Sequence, residues 1–236
     1  MKRKILAPVT VAAMAGGVLL GVPVVADAAA YNCKGAEKGV YKLCIYNKTG
    51  VKISGKIFSN AQNGIYVKNS SNITISGNTF KNLRGPKGYG GIHVKGSSGI
   101  KIEGNTFSRL GNNGNMHGVY MVQTSHSYVT GNNFSYIYGD PVRIRDASKN
   151  NTVSGNKFVR SGHKAMFSEW AQLPPYGSEK CGSGNVFKKN KYGTSYNNKS
   201  IAKIMWGGKG GGKAGPLNWN NCSKASIKDG GGNRKI

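Results

Sequence analysis

The sequence predicts an all-β solenoid, a parallel β-helix of about six to seven coils closed by a short irregular C-terminal cap. Three observations carry that reading. A Gly-Asn-x-Phe motif recurs as "SGNTF", "EGNTF", "TGNNF" and "SGNKF". Corner pairs aligned on it, Gly55-Lys56, Gly77-Asn78, Gly104-Asn105, Gly131-Asn132, Gly155-Asn156 and Gly184-Asn185, are 22, 27, 27, 24 and 29 residues apart, a period that belongs to stacked units. Within each unit the apolar period is two, as in Ile65/Val67, Ile92/Val94, Val119/Met121 and Val142/Ile144, and no sustained 3.6-residue period is present.

The chain begins Met1-Lys2-Arg3-Lys4, continues through an apolar run and reaches small-residue cleavage sites near Ala30, which marks residues 1–30 as a secretory signal peptide. The Gly, Ala and Pro content of the run argues against an uncleaved anchor. The mature protein is therefore expected to be secreted and extracellular, with no transmembrane segment after signal cleavage. The β-helix domain is expected over residues 31–206 and a Gly/Lys-rich cap and tail over 207–236. In that tail Trp219 would cover the open end of the stack, and the chain would fray from about Lys224. Four cysteines, Cys33, Cys44, Cys181 and Cys222, sit at the two ends of the mature chain. In an exported protein they read as disulfides, and the sequence-local pairing is Cys33 with Cys44 and Cys181 with Cys222. No zinc-type Cys spacing is present.

Stacked coils give the repeated residues a structural role. The Asn column (78, 105, 132, 156, 185) is expected at corners, where Asn tolerates the left-handed conformation and its amide can hydrogen-bond from coil to coil. The Phe column (58, 80, 107, 134, 158, 187) is expected to fill the interior. On these residues the stretch from about Cys44 to Trp206 resembles the right-handed parallel β-helix repeats of the pectate-lyase-like superfamily. The resemblance implies a right-handed parallel β-helix and an extracellular carbohydrate partner. It does not imply a reaction, because the superfamily contains lyases, hydrolases, uronate epimerases and proteins without catalysis. The polygalacturonase motifs, the calcium-binding Asp clusters and the R-x-P-x-x-R motif of pectate lyases are absent, so no family residue is carried over.

The chain has 34 Lys and Arg against 8 Asp and Glu, a formal net charge of +26. Such a chain is expected to bind an acidic polysaccharide or another extracellular polyanion, as a monomer and with no specific nucleic acid among its partners. No cofactor and no metal are expected.

Residues that do not repeat mark the candidate site. Between the inward apolar positions, one outward column reads Tyr66, His93, Tyr120, Arg143, Met166, and the next Lys68, Lys95, Val122, Arg145, Ser168. A corner column reads Asn63, Gly90, His117, Asp140, His163. Removal of the C5 proton of a uronate needs a base, a cation on the carboxylate and an acid for the leaving oxygen. Arg143 or Arg145 would neutralise the carboxylate as a bidentate partner, His117 or Lys95 would be the base, Tyr120 the acid, and Asp140 would orient a histidine. Tyr66, Lys68, His93, Lys95 and His163 would bind substrate. The same set would serve β-elimination (a lyase) or C5 epimerisation, whereas hydrolysis lacks paired carboxyls. A metal on His117, Asp140 and His163 would require side chains to converge over the middle coil. The rival reading is a non-catalytic basic module that adheres to anionic cell-wall or extracellular polymer, for which Lys68 and Lys95 would be ordinary solvated surface.

Overall fold

The computed structural model describes residues 39–236 except 87, 112–114, 175–176 and 207–221, together with Cys33 and Ala36. The signal peptide and Trp219 lie outside the described residues. The chain winds through three parallel sheets of seven strands each. The first sheet holds β1 (Tyr41–Tyr46), β4 (Asn63–Lys68), β7 (Gly90–Lys95), β10 (His117–Val122), β13 (Val142–Arg145), β16 (Ala165–Glu169) and β19 (Ala202–Met205). The second holds β2 (Lys52–Ser54), β5 (Thr74–Ser76), β8 (Lys101–Glu103), β11 (Tyr128–Thr130), β14 (Thr152–Ser154), β17 (Asn185–Lys188) and β20 (Ile227–Asp229). The third holds β3 (Ile57–Ser59), β6 (Thr79–Lys81), β9 (Thr106–Leu110), β12 (Asn133–Ile137), β15 (Lys157–Val159), β18 (Lys191–Tyr192) and β21 (Arg234–Lys235). Each strand pairs in parallel with the strand three places on, so one coil contributes one strand to every sheet.

Identical inward residues stack. Phe58, Phe80, Phe107, Phe134 and Phe158 superpose with ring centroids 4.9, 4.7, 4.6 and 5.0 Å apart, which is the spacing of neighbouring strands. Glycines opposite give the rings room. A Cβ on Gly91 would lie 2.9 Å from Phe107, and one on Gly118 2.5 Å from Phe134. At the corner between the second and third sheets the Asn ladder forms as expected. Asn105 Nδ2 donates to Asn132 Oδ1 at 3.0 Å and to the Ile75 carbonyl at 2.8 Å, while the Asn105 backbone N–H donates to Asn132 Oδ1 at 2.8 Å. The left-handed residue of the motif is its glycine, such as Gly77 at φ 61, whereas the ladder Asn is not left-handed. Left-handed Asn occurs at other corners, as at Asn60, Asn69, Asn72 and Asn82.

The sixth coil corrects the expected registration. Asn185 stacks on Asn151 at the corner before the second sheet, with the Asn151 Nδ2 to Asn185 Oδ1 bond at 3.0 Å. Phe187 faces Val153 within the second sheet. The ladder continues instead through Asn190, to which Asn156 donates at 3.1 Å, and the Phe column ends on Tyr192. Two causes combine. The step from Asn156 to Asn190 is 34 residues against 24 for the step before it, and a left-handed Lys189 stands where the motif has glycine.

The expected cap and tail also change. Residues 227–229 and 234–235 are strands, so the segment expected to fray supplies two strands of the seventh coil, and the β-helix runs past Trp206 to Lys235. Buried Ile227 and the Asn190–Asn233 amide bond of 3.2 Å hold it. Both disulfides form as paired from the sequence, Cys33–Cys44 and Cys181–Cys222. Among the described residues no helix is long and apolar enough to cross a membrane.

Candidate functional site on the first sheet

Strand alternation sends Ile65, Ile92, Val119 and Val142 inward, and their neighbours form an outward column in which Tyr66, His93, Tyr120 and Arg143 pair in register. The next member is Ser168, not Met166. The parity of β16 is as expected but its register is shifted by two residues, because Glu169 takes the inward place opposite Ile144. Met166 is buried in the core cluster.

The upper part of the column is an aromatic stack. Ring centroids are 5.2 Å apart for Tyr41–Tyr66, 4.9 Å for Tyr66–His93, 4.9 Å for His93–Tyr120 and 5.0 Å for Tyr89–Tyr120. Tyr41 Oη and His93 Nδ1 are hydrogen-bonded at 2.8 Å, and His93 Nε2 is buried without a hydrogen-bond partner among the described residues. Burial, with Lys95 adding repulsion, pushes the His93 pKa down to about 3, so the ring is neutral.

The lower part is polar. His117 is 2% exposed, and its Nδ1 lies 3.0 Å from the Asp140 carbonyl oxygen. A carbonyl only accepts, so Nδ1 carries the proton and Nε2 keeps the lone pair. Burial and then the charge of Arg143 push the pKa of this ring down to about 3. Asp140 was expected to orient a histidine with its carboxylate. Only its carbonyl reaches His117, and the carboxylate has five other donors. Oδ1 accepts the backbone N–H groups of His163 (3.1 Å), Lys164 (2.7 Å) and Ala165 (3.1 Å), and Oδ2 accepts Ser168 Oγ (2.6 Å) and Arg143 Nη2 (2.6 Å). Burial alone would raise this carboxyl, but the Arg143 charge and these hydrogen bonds hold it below the usual carboxylate range.

Both arginines are engaged. Arg143 also donates to Ser168 Oγ and lies over the Trp170 ring at 5.1 Å. Arg145 Nε is shared between Glu179 Oε1 (2.7 Å) and Oε2 (2.8 Å), while Nη2 reaches Gln172 Oε1 (3.1 Å) and Nη1 reaches Tyr120 Oη (3.4 Å). Burial disfavours its charge, but the interactions with Glu179 and Tyr120 together outweigh this and raise its pKa.

Of the residues expected at the site, His117, Tyr120, Asp140, Arg143 and Arg145 gather with Tyr66 and His93. Lys68 and Lys95 pair in register at the rim of the column, half-buried. His163 is not part of the gathering. Because of the register shift Ala165 takes its place, and its exposed ring stacks on Tyr138 at 6.4 Å. This separates the three groups that a shared metal would need, and no group of three or more His, Cys, Asp or Glu among the described residues is placed to hold one. Ser168, expected beside Arg145, stands beside Arg143 instead, and Gln172 and Glu179 went unforeseen. Glu179 had a signal, as an isolated acid of a strongly basic chain inside its longest coil.

A family model described as "Right handed beta helix region" matches residues 26–228. The chain belongs to the right-handed β-helix family. A search of curated proteins returned no match. Among solved structures, the DFA-IIIase from Arthrobacter chlorophenolicus A6 in complex with GF2 is similar with a TM-score of 0.44 at 13% identity, over 83% of this chain and 52% of that one. The present chain thus spans about half the length of that protein. In this right-handed β-helix the outward face of the first sheet is a closed polar cluster. Tyr66, His93, Tyr120, His117, Asp140 and Ser168 are each no more than 2% exposed, and both guanidinium groups already hold a carboxylate.

Proposed function

We propose that the protein is an exported, monomeric, cofactor-free basic module that binds acidic extracellular polysaccharide without transforming it. The observation that carries this reading is where the charges go. Asp140 and Glu179 are taken up by Arg143 and Arg145, Asp229 by Lys203, and Asp146 by Gln123 and the Lys180 N–H. Glu169 is buried, its carboxylate accepting the Gly182 N–H, and burial raises its pKa. Loss of residues 1–30 would leave 34 − 3 = 31 Lys and Arg against 8 − 1 = 7 Asp and Glu, most of these acids are already engaged, and a field of one sign collects polyanions. Two disulfides are compatible with an extracellular setting. Titration calorimetry against polygalacturonate or alginate tests the reading. Binding that weakens steeply between low and high salt is expected, and no binding at low salt would overturn it.

A second reading, β-elimination or C5 epimerisation of a uronate, is favoured by one observation, the gathering of His117, whose ring stacks on Tyr120 at 5.4 Å, with Tyr120 and its register partner Arg143. It requires the face to open, a base whose pKa is not near 3, and an Arg143 released from Asp140. The ultraviolet absorbance of the unsaturated uronate product separates the readings. The adhesive module gives none, whereas a lyase gives signal that Arg143→Ala abolishes.

A further inference from the structure

We infer that the polymer is held in an open groove along the corner between the third and first sheets, by arginines and tyrosines that stack coil on coil. This inference rests on the polyanion-binding reading above and adds its location and chemistry. The corner is built from the residue one place beyond an in-register position of the third sheet, which follows β3, β6 and β15 and lies within the longer β9 and β12. The register Ser59, Lys81, Ser108, Ser135, Val159 places Asn60, Asn82, Arg109, Tyr136 and Arg160 on five successive coils. All five have left-handed backbones, with φ of 51, 54, 53, 55 and 43°, so the side chains leave the corner in the same way and form one exposed column. Four steps of about 4.8 Å make it about 19 Å long. Asn takes such a conformation cheaply, whereas arginine and tyrosine do so less readily, and the corner nevertheless holds two arginines and a tyrosine.

A groove of about 510 Å³ runs beside the column, lined by Asn60, Asn82, Arg84, Arg109, Tyr136 and Tyr196 among others. Its chemistry differs from that of the first-sheet face in one decisive respect. Arg143 and Arg145 are ion-paired, whereas the side chains of Arg84 and Arg109 have no hydrogen bond or ion pair among the described residues, and no acid lines the groove. Unpaired guanidinium forks on a rigid scaffold match planar carboxylates bidentately. The Arg160 guanidinium lies over the Tyr136 ring at 5.2 Å, and Tyr196 packs on Tyr138 at 4.8 Å, so two aromatic rings flank the cations. Carboxylates that recur along a chain of apolar-faced rings are what such a column fits, which describes a uronate-rich polysaccharide.

The test uses the full-length mature protein and compares two variants of equal charge loss. Arg84→Gln/Arg109→Gln removes two groove cations, and Lys52→Gln/Lys101→Gln removes two exposed cations from the second sheet. Calorimetric affinity for polygalacturonate at moderate salt should fall at least tenfold in the first variant and less than threefold in the second. Tyr136→Ala should reduce the affinity that persists at high salt, and Arg109→Lys should keep part of it. Equal losses in the two charge variants would overturn the groove while leaving general polyanion binding intact. Tighter binding to dextran sulfate, which carries no carboxylate, than to polygalacturonate, with the same loss in the groove variant, would overturn the assignment to uronate carboxylates. A wild-type protein that binds neither polymer would remove both readings.

Discussion

The Asn–Phe corner and the outward face of the first sheet both satisfy buried polar groups, by opposite means. At the corner each Asn is satisfied by a copy of itself one coil away, so the solution is periodic and visible in the sequence as a motif. In the first-sheet column of Tyr66, His93, Tyr120, Arg143 and Ser168 no two neighbouring coils present the same residue. Satisfaction there comes from unlike partners: a carboxylate that collects five donors, an arginine clasped by a glutamate 34 positions on, a histidine on a carbonyl. The difference teaches that non-repetition in a solenoid need not mark chemistry. It can mark a heterogeneous seal.

The sharpest way to break the seal is Asp140→Ala. It strips one acceptor from three backbone N–H groups, Ser168 and Arg143, leaving a largely buried guanidinium without its carboxylate. Loss of one member of a buried pair and the orphaned donors predict a destabilisation of about 5 kcal/mol, read as a large shift in the urea midpoint. The periodic region should yield less. Asn132→Ala orphans the Asn105 N–H and the Ile102 carbonyl, for about 3 kcal/mol, whereas Asn233→Ala in the partly exposed last coil should cost less than about 1 kcal/mol because water replaces the amide. Equal costs at Asp140 and Asn132 would erase the distinction between the two regions.

Legibility followed the same division. The coil period, strand parity, Phe stack through Phe158 and Asn ladder through Asn156 could be read because each is a repeat, and the disulfides because their spacing is local. The placement of Ser168, Asn190 and His163 could not. The insertion that carries Trp170, Gln172 and Glu179 lengthens the sixth coil, Lys189 hides the motif that would have restored the count, and Glu169 interrupts the apolar alternation from an inward position. Burial of the first-sheet face was illegible for a further reason. Alternation tells which side a residue faces, but a side that faces out of the coil can still be covered.

Acid should separate the regions next. His93 and His117 are neutral in the folded protein with pKa values lowered to about 3 from 6.5. The unfolded chain therefore binds more protons between those values, and stability falls as pH drops below about 6.5. The expected loss is about 2 kcal/mol per histidine at pH 5, before the depressed Asp140 contributes its own loss below about pH 4. Denaturation midpoints between pH 7 and pH 5 check this, and His93→Phe should remove close to half of the decline. The Asn ladder has no titrating group, so a decline unaffected by His93→Phe would move the acid sensitivity away from the first-sheet face.

The smallest effect tests whether the sixth coil is strained by its departure from the motif. Gly155 and Lys189 occupy equivalent corner positions with φ of 64 and 54°. A Cβ at Gly155 would meet only the Gly131 nitrogen, at 3.9 Å, so any cost of Gly155→Ala is conformational and should be about 1 kcal/mol. Lys189→Gly relieves the same strain but gives the unfolded chain more freedom, so its gain should be smaller, about 0.5 kcal/mol. A loss on Lys189→Gly would mean that the lysine side chain, whose Cγ lies beside Gly232, packs against the last coil more firmly than its backbone is strained. The periodic corner would then be held there by a side chain that the motif does not contain.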